Sequence, residues 1–217
     1  MKIAILGGTG RLGKGLSYRW AKNHDVIIGS REESKAIRTA ESFNADLGKF
    51  SIHRPIAGMS HRQAIQRAEI IVLSLQFDHL VPLLKETGSL FDSKIVFSPV
   101  VPMIKKEIFQ FAPPPEGSAA LALRNLLPGS CHLIAGLHTV PAGGMKDLDK
   151  KLEGDVVVCG DDRESKILIQ KLVEEIEDLR ALDAGPLEAS KMVEPITPLL
   201  LNLKIFGLKR DLTIKFI

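Results

Sequence analysis

Three glycines, Gly8, Gly10 and Gly13, stand at G-x-G-x-x-G spacing in "ILGGTGRLGKGL". Each has a mechanical task where a pyrophosphate is bound: the tight turn, close approach of backbone to phosphate, and packing of the next helix on the strand. The spacing is common, but its context sharpens it. The β-branched run Lys2–Leu6 leads in, and Lys14–Asn23 has the composition of a helix. Free amides at that helix start, with the positive end of the dipole, complete an anion site. A second group of residues follows "DVIIG". A site built for NAD carries an Asp or Glu here, which accepts from the adenosine ribose. This chain has Ser30, Arg31 and, one helical turn on, Lys35. A carboxylate would repel a ribose 2′-phosphate, whereas Ser30 offers a hydroxyl, Arg31 a fork of charge-assisted bonds and Lys35 a point charge. The expected nucleotide is NADP(H).

These residues need strand ends and helix starts to hold them, and the rest of the sequence supplies both. Val26–Ile28 reads as a second strand and Glu32–Phe43 as a polar helix, with a less regular segment up to Ser60. "HRQAIQRAE" reads as a helix, Ile70–Leu75 as a fully buried strand, "DHLVPLLKETGSLF" as a helix and turn, and "KIVFSPVVP" as a strand. The prolines of "QFAPPPEGS" make a loop. Ser118–Leu127 is helical and "HLIAGL" strand-like. "DVVVCG" is a strand, and Asp161 with Glu164 spells a capping box opening a helix to about Glu177. "RALDAG" is a short strand, and the chain from Glu188 is mostly helical. Strands alternating with helices predict an α/β fold, a Rossmann-type doubly wound, mostly parallel sheet with a small C-terminal α/β extension. The expected division is residues 1–140 as the nucleotide domain and 141–217 as a small domain completing the reaction cleft.

Composition excludes several classes. Of 217 residues, 29 are basic and 26 acidic, and without a basic block no nucleic-acid partner is implied. "MKIAILGG" is too short for a signal peptide. "VEPITPLLLNLKIFGL", broken by Pro195, Pro198, Asn202 and Lys204, falls short of the ~20 apolar residues that span a bilayer. No membrane partner is expected, and the expected location is cytoplasmic. Cys131 and Cys159 read as buried free thiols. Tyr18 and Lys22 spell the YxxxK pair of short-chain dehydrogenases, but directly after the glycine loop, and Tyr18 is the only tyrosine. It reads as packing. Six histidines show no zinc spacing, so no metal is expected, and there is no GxSxG elbow. A nicotinamide site with no evident proton donor suits hydride transfer into a conjugated ring by positioning alone, with no catalytic side chain.

"ILGGTGRLGKGL", "IIGSREESK", "FSPVVP", "GSAA", "LHTVPA", "VCGDD", "LRALDAGPL", "VEPITPLLLNL" and "LTIKF" occur in this order along nearly the whole chain. Together they resemble the F420-dependent NADP reductases, with "DAGPL" followed by "ITPLLLN" the most specific part. The resemblance implies reversible hydride transfer between reduced coenzyme F420, a deazaflavin, and NADP. It implies that Thr9, Gly10, Arg11 and Leu12 hold the pyrophosphate. It also implies that Phe77, Val101 and Ala142 line the nicotinamide side and that Leu212 contacts the deazaflavin. Leu75-Gln76-Phe77 departs from the family's frequent Ile-Pro-Trp. His138 can donate to a ring carbonyl, although a strand-end histidine satisfied by backbone is the favoured reading. The segment Pro195–Leu203 reads as a core or dimer-forming helix, and a homodimer is expected. Two alternatives stay open: an NADPH-dependent reductase of flavin, quinone or ferric chelate, and a non-catalytic NADP(H)-sensing module.

Overall fold

A computed structural model describes residues 1–217. Eight strands form one sheet: β1 (Lys2–Leu6), β2 (Asp25–Ser30), β3 (Ala57–Ser60), β4 (Ile70–Leu73), β5 (Ile95–Ser98), β8 (His132–Ala135), β9 (Gly154–Gly160) and β10 (Leu179–Asp183). Between β5 and β8 lies a hairpin, β6 (Met103–Lys105) and β7 (Phe109–Phe111), as a separate two-stranded sheet. The main order is β10-β9-β8-β5-β4-β1-β2-β3. From β3 to β8 every pairing is parallel; β9 runs antiparallel to β8 and parallel to β10. This is the doubly wound Rossmann order with two strands added at one edge.

Buried strands are apolar on both faces because helices cover both. In β1, Ile3 and Ile5 enter one core while Ala4 and Leu6 enter the other. The covering helices are α1 (Arg11–Trp20), α2 (Glu33–Gly48), α3 (His61–Arg67), α4 (Phe77–Thr87), α5 (Ala119–Arg124), α6 (Arg163–Glu174), α7 (Ser190–Val193) and α8 (Ile196–Leu203).

Several expectations shift. The irregular stretch before Ser60 ends in β3, whose "AGMS" carries no β-branched residue; an edge position supplies the pairing. The region around "QFAPPPEGS" begins as strand β7, because Asn202 from α8 accepts from the Phe109 amide and donates to the Phe109 carbonyl, both at 2.8 Å. The buried strands stop at Leu73 and Ser98, short of Leu75 and Pro102. The capping box expected at Asp161 and Glu164 is not formed. Asp162 is the cap, accepting from the Ser165 amide at 2.8 Å, while Asp161 accepts from the Leu187 amide at 2.9 Å. The helix then ends at Glu174. A capping box does form at Ser60 and Gln63, opening α3.

Long-range bonds fix the C-terminal part of the chain on α1. Arg19 of α1 donates to the carbonyls of Met145 (2.9 Å), Asp147 (2.7 Å) and Lys150 (3.0 Å), and the Trp20 indole N–H donates to the Leu172 carbonyl at 3.0 Å. Buried Asp155 receives Arg180 Nε and Nη2, both at 2.7 Å, and the Phe216 amide at 2.6 Å. This clamp holds the extended tail after Leu212, and the guanidinium keeps the Asp155 carboxyl below its ordinary range. Glu194, fully buried between α7 and α8, accepts from the amides of Ala119 (2.8 Å) and Ala120 (2.9 Å). Desolvation outweighs those two bonds and pushes its carboxyl up to about 7.

A carboxyl raised in the folded state favours folding while protonated. That contribution is complete below the unfolded value near 4.5 and is lost as pH rises through about 7. Urea unfolding of the protein and of Glu194→Gln is expected to show the difference in stability moving against the wild type by on the order of 3 kcal/mol between these limits. A pH-independent difference would show that Glu194 stays ionised.

Candidate functional site

The turn after β1 leaves the sheet at Gly7, whose φ of 79° falls in the left-handed region. A Cβ there would stand 2.3 Å from the Ser74 carbonyl of the strand alongside. Only glycine fits, and Gly7 is a residue that the G-x-G-x-x-G pattern does not mark. Gly8 is pressed against Ile28, and Gly13 packs so that a Cβ would lie 2.6 Å from the Gly8 Cα. Gly10 is the least confined, with only the Gly7 carbonyl near, at 3.3 Å. It is the N-cap of α1, and no side chain caps that helix. First-turn amides of an uncapped helix lack intrahelical partners, so Gly10, Arg11 and Leu12 border an anion cradle open to the outside. Thr9 is half-buried and Arg11 exposed.

On the β2 side, Thr9, Ser30, Arg31, Lys35 and His61 line a cavity of about 110 Å³ together with Glu32. Ser30 is nearly buried, its hydroxyl accepting from the Glu32 amide at 3.3 Å. Arg31 and Lys35 are exposed, and none of the ion pairs in the structure uses either one. Two cations without carboxylate partners beside a helix N-terminus are what an anion needs. Arg31, His61 and Leu75 also border an adjoining cavity of about 300 Å³ walled by Pro82 and Leu83 of α4.

At the other end of the cradle, Arg11, His138, Ala142 and Leu212 meet in a cavity of about 310 Å³, with Thr197 and Leu201 of α8. Leu212 reaches it because the tail is clamped at Asp155 and because Lys204 holds Asp211 at 2.6 Å. The structure does not bring Phe77 and Val101 into this cavity. They line a neighbouring one of about 420 Å³ beneath the hairpin, and Met103 is the shared wall.

His138 departs from expectation. Its ring is buried, yet neither nitrogen has a hydrogen-bond partner. The Val100 backbone raises its pKa only slightly and without the alignment of a hydrogen bond; desolvation wins and pushes the imidazole down to about 4. It is therefore neutral near pH 7, and its own carbonyl accepts from the Thr197 hydroxyl at 2.7 Å. Burying polar nitrogens unpaired costs on the order of 1–3 kcal/mol. Tyr18 lies elsewhere, its hydroxyl donating to Asp46 at 2.6 Å and its ring edge-on to Phe43.

Gly7, His61, Met103 and Thr197 line these cavities without having been singled out in the sequence. A reading that recognised β3 would have found His61, since it directly follows the last residue of that strand.

Comparison with known proteins now bears on this geometry. The family described as "NADP oxidoreductase coenzyme F420-dependent" matches residues 2–102. The F420-dependent NADP reductase of Methanocaldococcus jannaschii is 37% identical over 94% of this chain and 93% of its own length. That of Methanothermobacter marburgensis is 30% identical over 94% and 93%. A solved structure from Arthrobacter sp. FB24 superposes over 100% of this chain and 98% of its own with a TM-score of 0.82 at 21% identity, which speaks for the fold. A pyrroline-5-carboxylate reductase from Coxiella burnetii shares the fold more distantly, with a TM-score of 0.57 at 13% identity over 83% of this chain and 58% of its own. Near-complete coverage at 37% identity is decisive, and the chain belongs to the family of F420-dependent NADP reductases.

Proposed function

We infer that this protein transfers a hydride between reduced coenzyme F420 and NADP. The observation that carries the reading is one crevice with an uncapped helix start at its centre, two unpaired cations at one end and an orphaned neutral histidine at the other. The residues present fit a dinucleotide. Gly8, Thr9, Gly10, Arg11, Leu12 and Gly13 form the pyrophosphate cradle, and Ser30, Arg31 and Lys35 take the ribose 2′-phosphate. When bound, the nicotinamide and the deazaflavin supply the two-electron chemistry themselves.

The chain's own part is to bind, orient and exclude water. His138 offers a neutral N–H to a ring carbonyl or amide, and Ala142 leaves room for a flat ring beside it. Leu201 and Leu212 keep the cavity apolar, which strengthens every polar contact within it. Phe77 and Val101 extend the apolar wall past Met103. In this reading residues 1–140 hold the nucleotide and residues 141–217 complete the cleft.

The same chain carries an unpartnered apolar face: Leu199, Leu203 and Phe206 on α8 and the turn after it, near the hairpin's Ile104 and Ile108, are all exposed. A homodimer covers such a face. No helix is long and apolar enough to cross a membrane. The two buried thiols, Cys131 and Cys159, are raised to about 11 and about 12 by desolvation. Such inert thiols suit a reducing cytoplasm.

Purified protein mixed with NADPH and oxidised F420 is expected to bleach the visible absorbance of the deazaflavin; persistent absorbance at micromolar protein rejects the hydride partner. Arg31→Ala is expected to weaken NADP by about 1.5–3 kcal/mol, the size of a lost charge-assisted bond, and to leave NAD unchanged in the same titration. Equal losses for both would remove the assignment of Arg31. Light scattering is expected to give twice the 23.8 kDa chain mass for the wild type and the single mass for Phe206→Asp. A wild type at the single mass overturns the dimer.

A further inference from the structure

His61 stands at the first position of α3, held there by the Ser60–Gln63 capping box. Its ring folds back over the end of β2, and the residue is 6% exposed. A Cβ on Gly29 would lie 3.0 Å from His61 Nδ1, so the glycine in "IIGSR" makes room for this imidazole. Gly29 and His61 both line the small cavity that holds Arg31 and Lys35. Nδ1 is buried and has no hydrogen-bond partner. Burial comes first and the Arg31 cation second in pushing the ring down to about 4, so it is neutral near pH 7.

The charged and titratable groups around it are few. Arg31, Glu32 and Lys35 face it from the end of β2 and the start of α2; His79 and Glu86 face it from α4 in the adjoining cavity. In the small cavity two cations oppose one carboxylate, which leaves one net positive charge. A phosphate monoester brings close to two negative charges at neutral pH. Its entry turns a site that repels a proton into one that attracts it, and gives the ring nitrogen the acceptor that the protein does not provide.

We propose that His61 is a specificity-determining residue of the nucleotide site, whose imidazole takes up a proton from solvent as a ribose 2′-phosphate enters beside Arg31 and Lys35 and so favours the phosphorylated nucleotide over the bare one. The proposal rests on the reading of that cavity as the 2′-phosphate site. It gives the protein a nucleotide preference that depends on pH, strongest on the acid side of neutrality and fading toward alkaline pH. The second ionisation of the phosphate, near pH 6, acts in the opposite sense but equally on any variant, so it cancels in a comparison.

The test is calorimetric titration of the full-length protein and of His61→Gln with NADP and with NAD, in two buffers of different ionisation enthalpy, near pH 6 and near pH 8. Glutamine keeps a hydrogen-bonding group but cannot titrate. Near pH 6 the wild type is expected to take up a larger fraction of a proton with NADP than the variant does. Its preference for NADP over NAD is expected to exceed the variant's by about tenfold, the size of one charge-assisted bond, with the gap closing near pH 8. NAD is expected to show no difference in proton uptake. Matching uptake and preference in the two proteins overturn the role of His61. If neither protein prefers NADP at any pH, the 2′-phosphate reading itself has failed, a separate outcome. Should the variant not fold, histidine resonances of the wild type decide instead. Two imidazoles, those of His61 and His138, are expected to titrate near pH 4 without nucleotide; that of His61 is expected to titrate distinctly higher with NADP but not with NAD, and an unmoved His61 titration overturns the proposal.

Discussion

A parallel strand is reached through a crossover, and that crossover is right-handed. From β1 the chain steps outward to β2 and β3, then returns to place β4 on the other side and continues to β5 and β8. The loops leaving β1 and β4 therefore diverge at their carboxyl ends, and the crevice between them is a consequence of topology. Gly7 sits at that divergence, with the Ser74 carbonyl of the neighbouring strand end directly against it. Because that approach forbids a side chain, the turn is tight enough for α1 to start immediately and present its first amides to the crevice. The uncapped start of α1, the cation-lined cavity and the cavity around His138 all take their positions from this one junction.

The crevice alone would bind half a reaction. Its second wall comes from residues more than a hundred positions away, and buried polar bonds bring them in. Gly15 of α1 packs so closely on Met145 that a Cβ would lie 2.3 Å from the Met145 Cβ, and Arg19 gathers three carbonyls of the segment after Ala142. The helix whose start is left uncapped is thus also the strut that fixes the segment after Ala142. Asn202 reads both backbone groups of Phe109 and holds the hairpin against α8. Asp155 and Arg180 grip the Phe216 backbone from both sides and so deliver Leu212. Each of these side chains satisfies main-chain groups that no ladder reaches, which is why short, weakly patterned segments stay in place.

The same distinction explains what was legible in the sequence. Strands β1, β2, β4 and β9 and helices α1, α4 and α6 carry their signals locally, as apolar runs or helical composition, and they stand where the sequence places them within a few residues. Strand β3 and the hairpin carry none. Their pairing is decided by Ala36 packing on Gly58 and by Asn202, partners distant in sequence. The glycine turn and the two cations beyond β2 were legible because their signals are local: glycines before a helix, cations after a strand. Gly7 escaped because the motif counts glycines and not the backbone angle between them. His61 escaped because its meaning depends on Gly29, thirty-odd positions earlier, lacking a Cβ. The Asp161–Glu164 spacing shows the opposite failure: a correct local pattern displaced by one residue when Asp161 found the Leu187 amide.

His61 and His138 occupy opposite ends of the crevice and are both neutral near pH 7, each pushed down to about 4. The causes differ, and so must the consequences. At His138 desolvation acts without a contribution from any charge. In the proposed reading an oxidised nicotinamide, itself a cation, approaches His138, and a neutral imidazole beside it avoids a repulsion that would oppose binding. At His61 part of the depression comes from the Arg31 cation. A cation's influence is cancelled by an anion placed beside it, whereas desolvation by packed walls is not. Burial holds both imidazoles neutral, but at His61 the Arg31 cation adds to it, and only that added part is one an anion can offset.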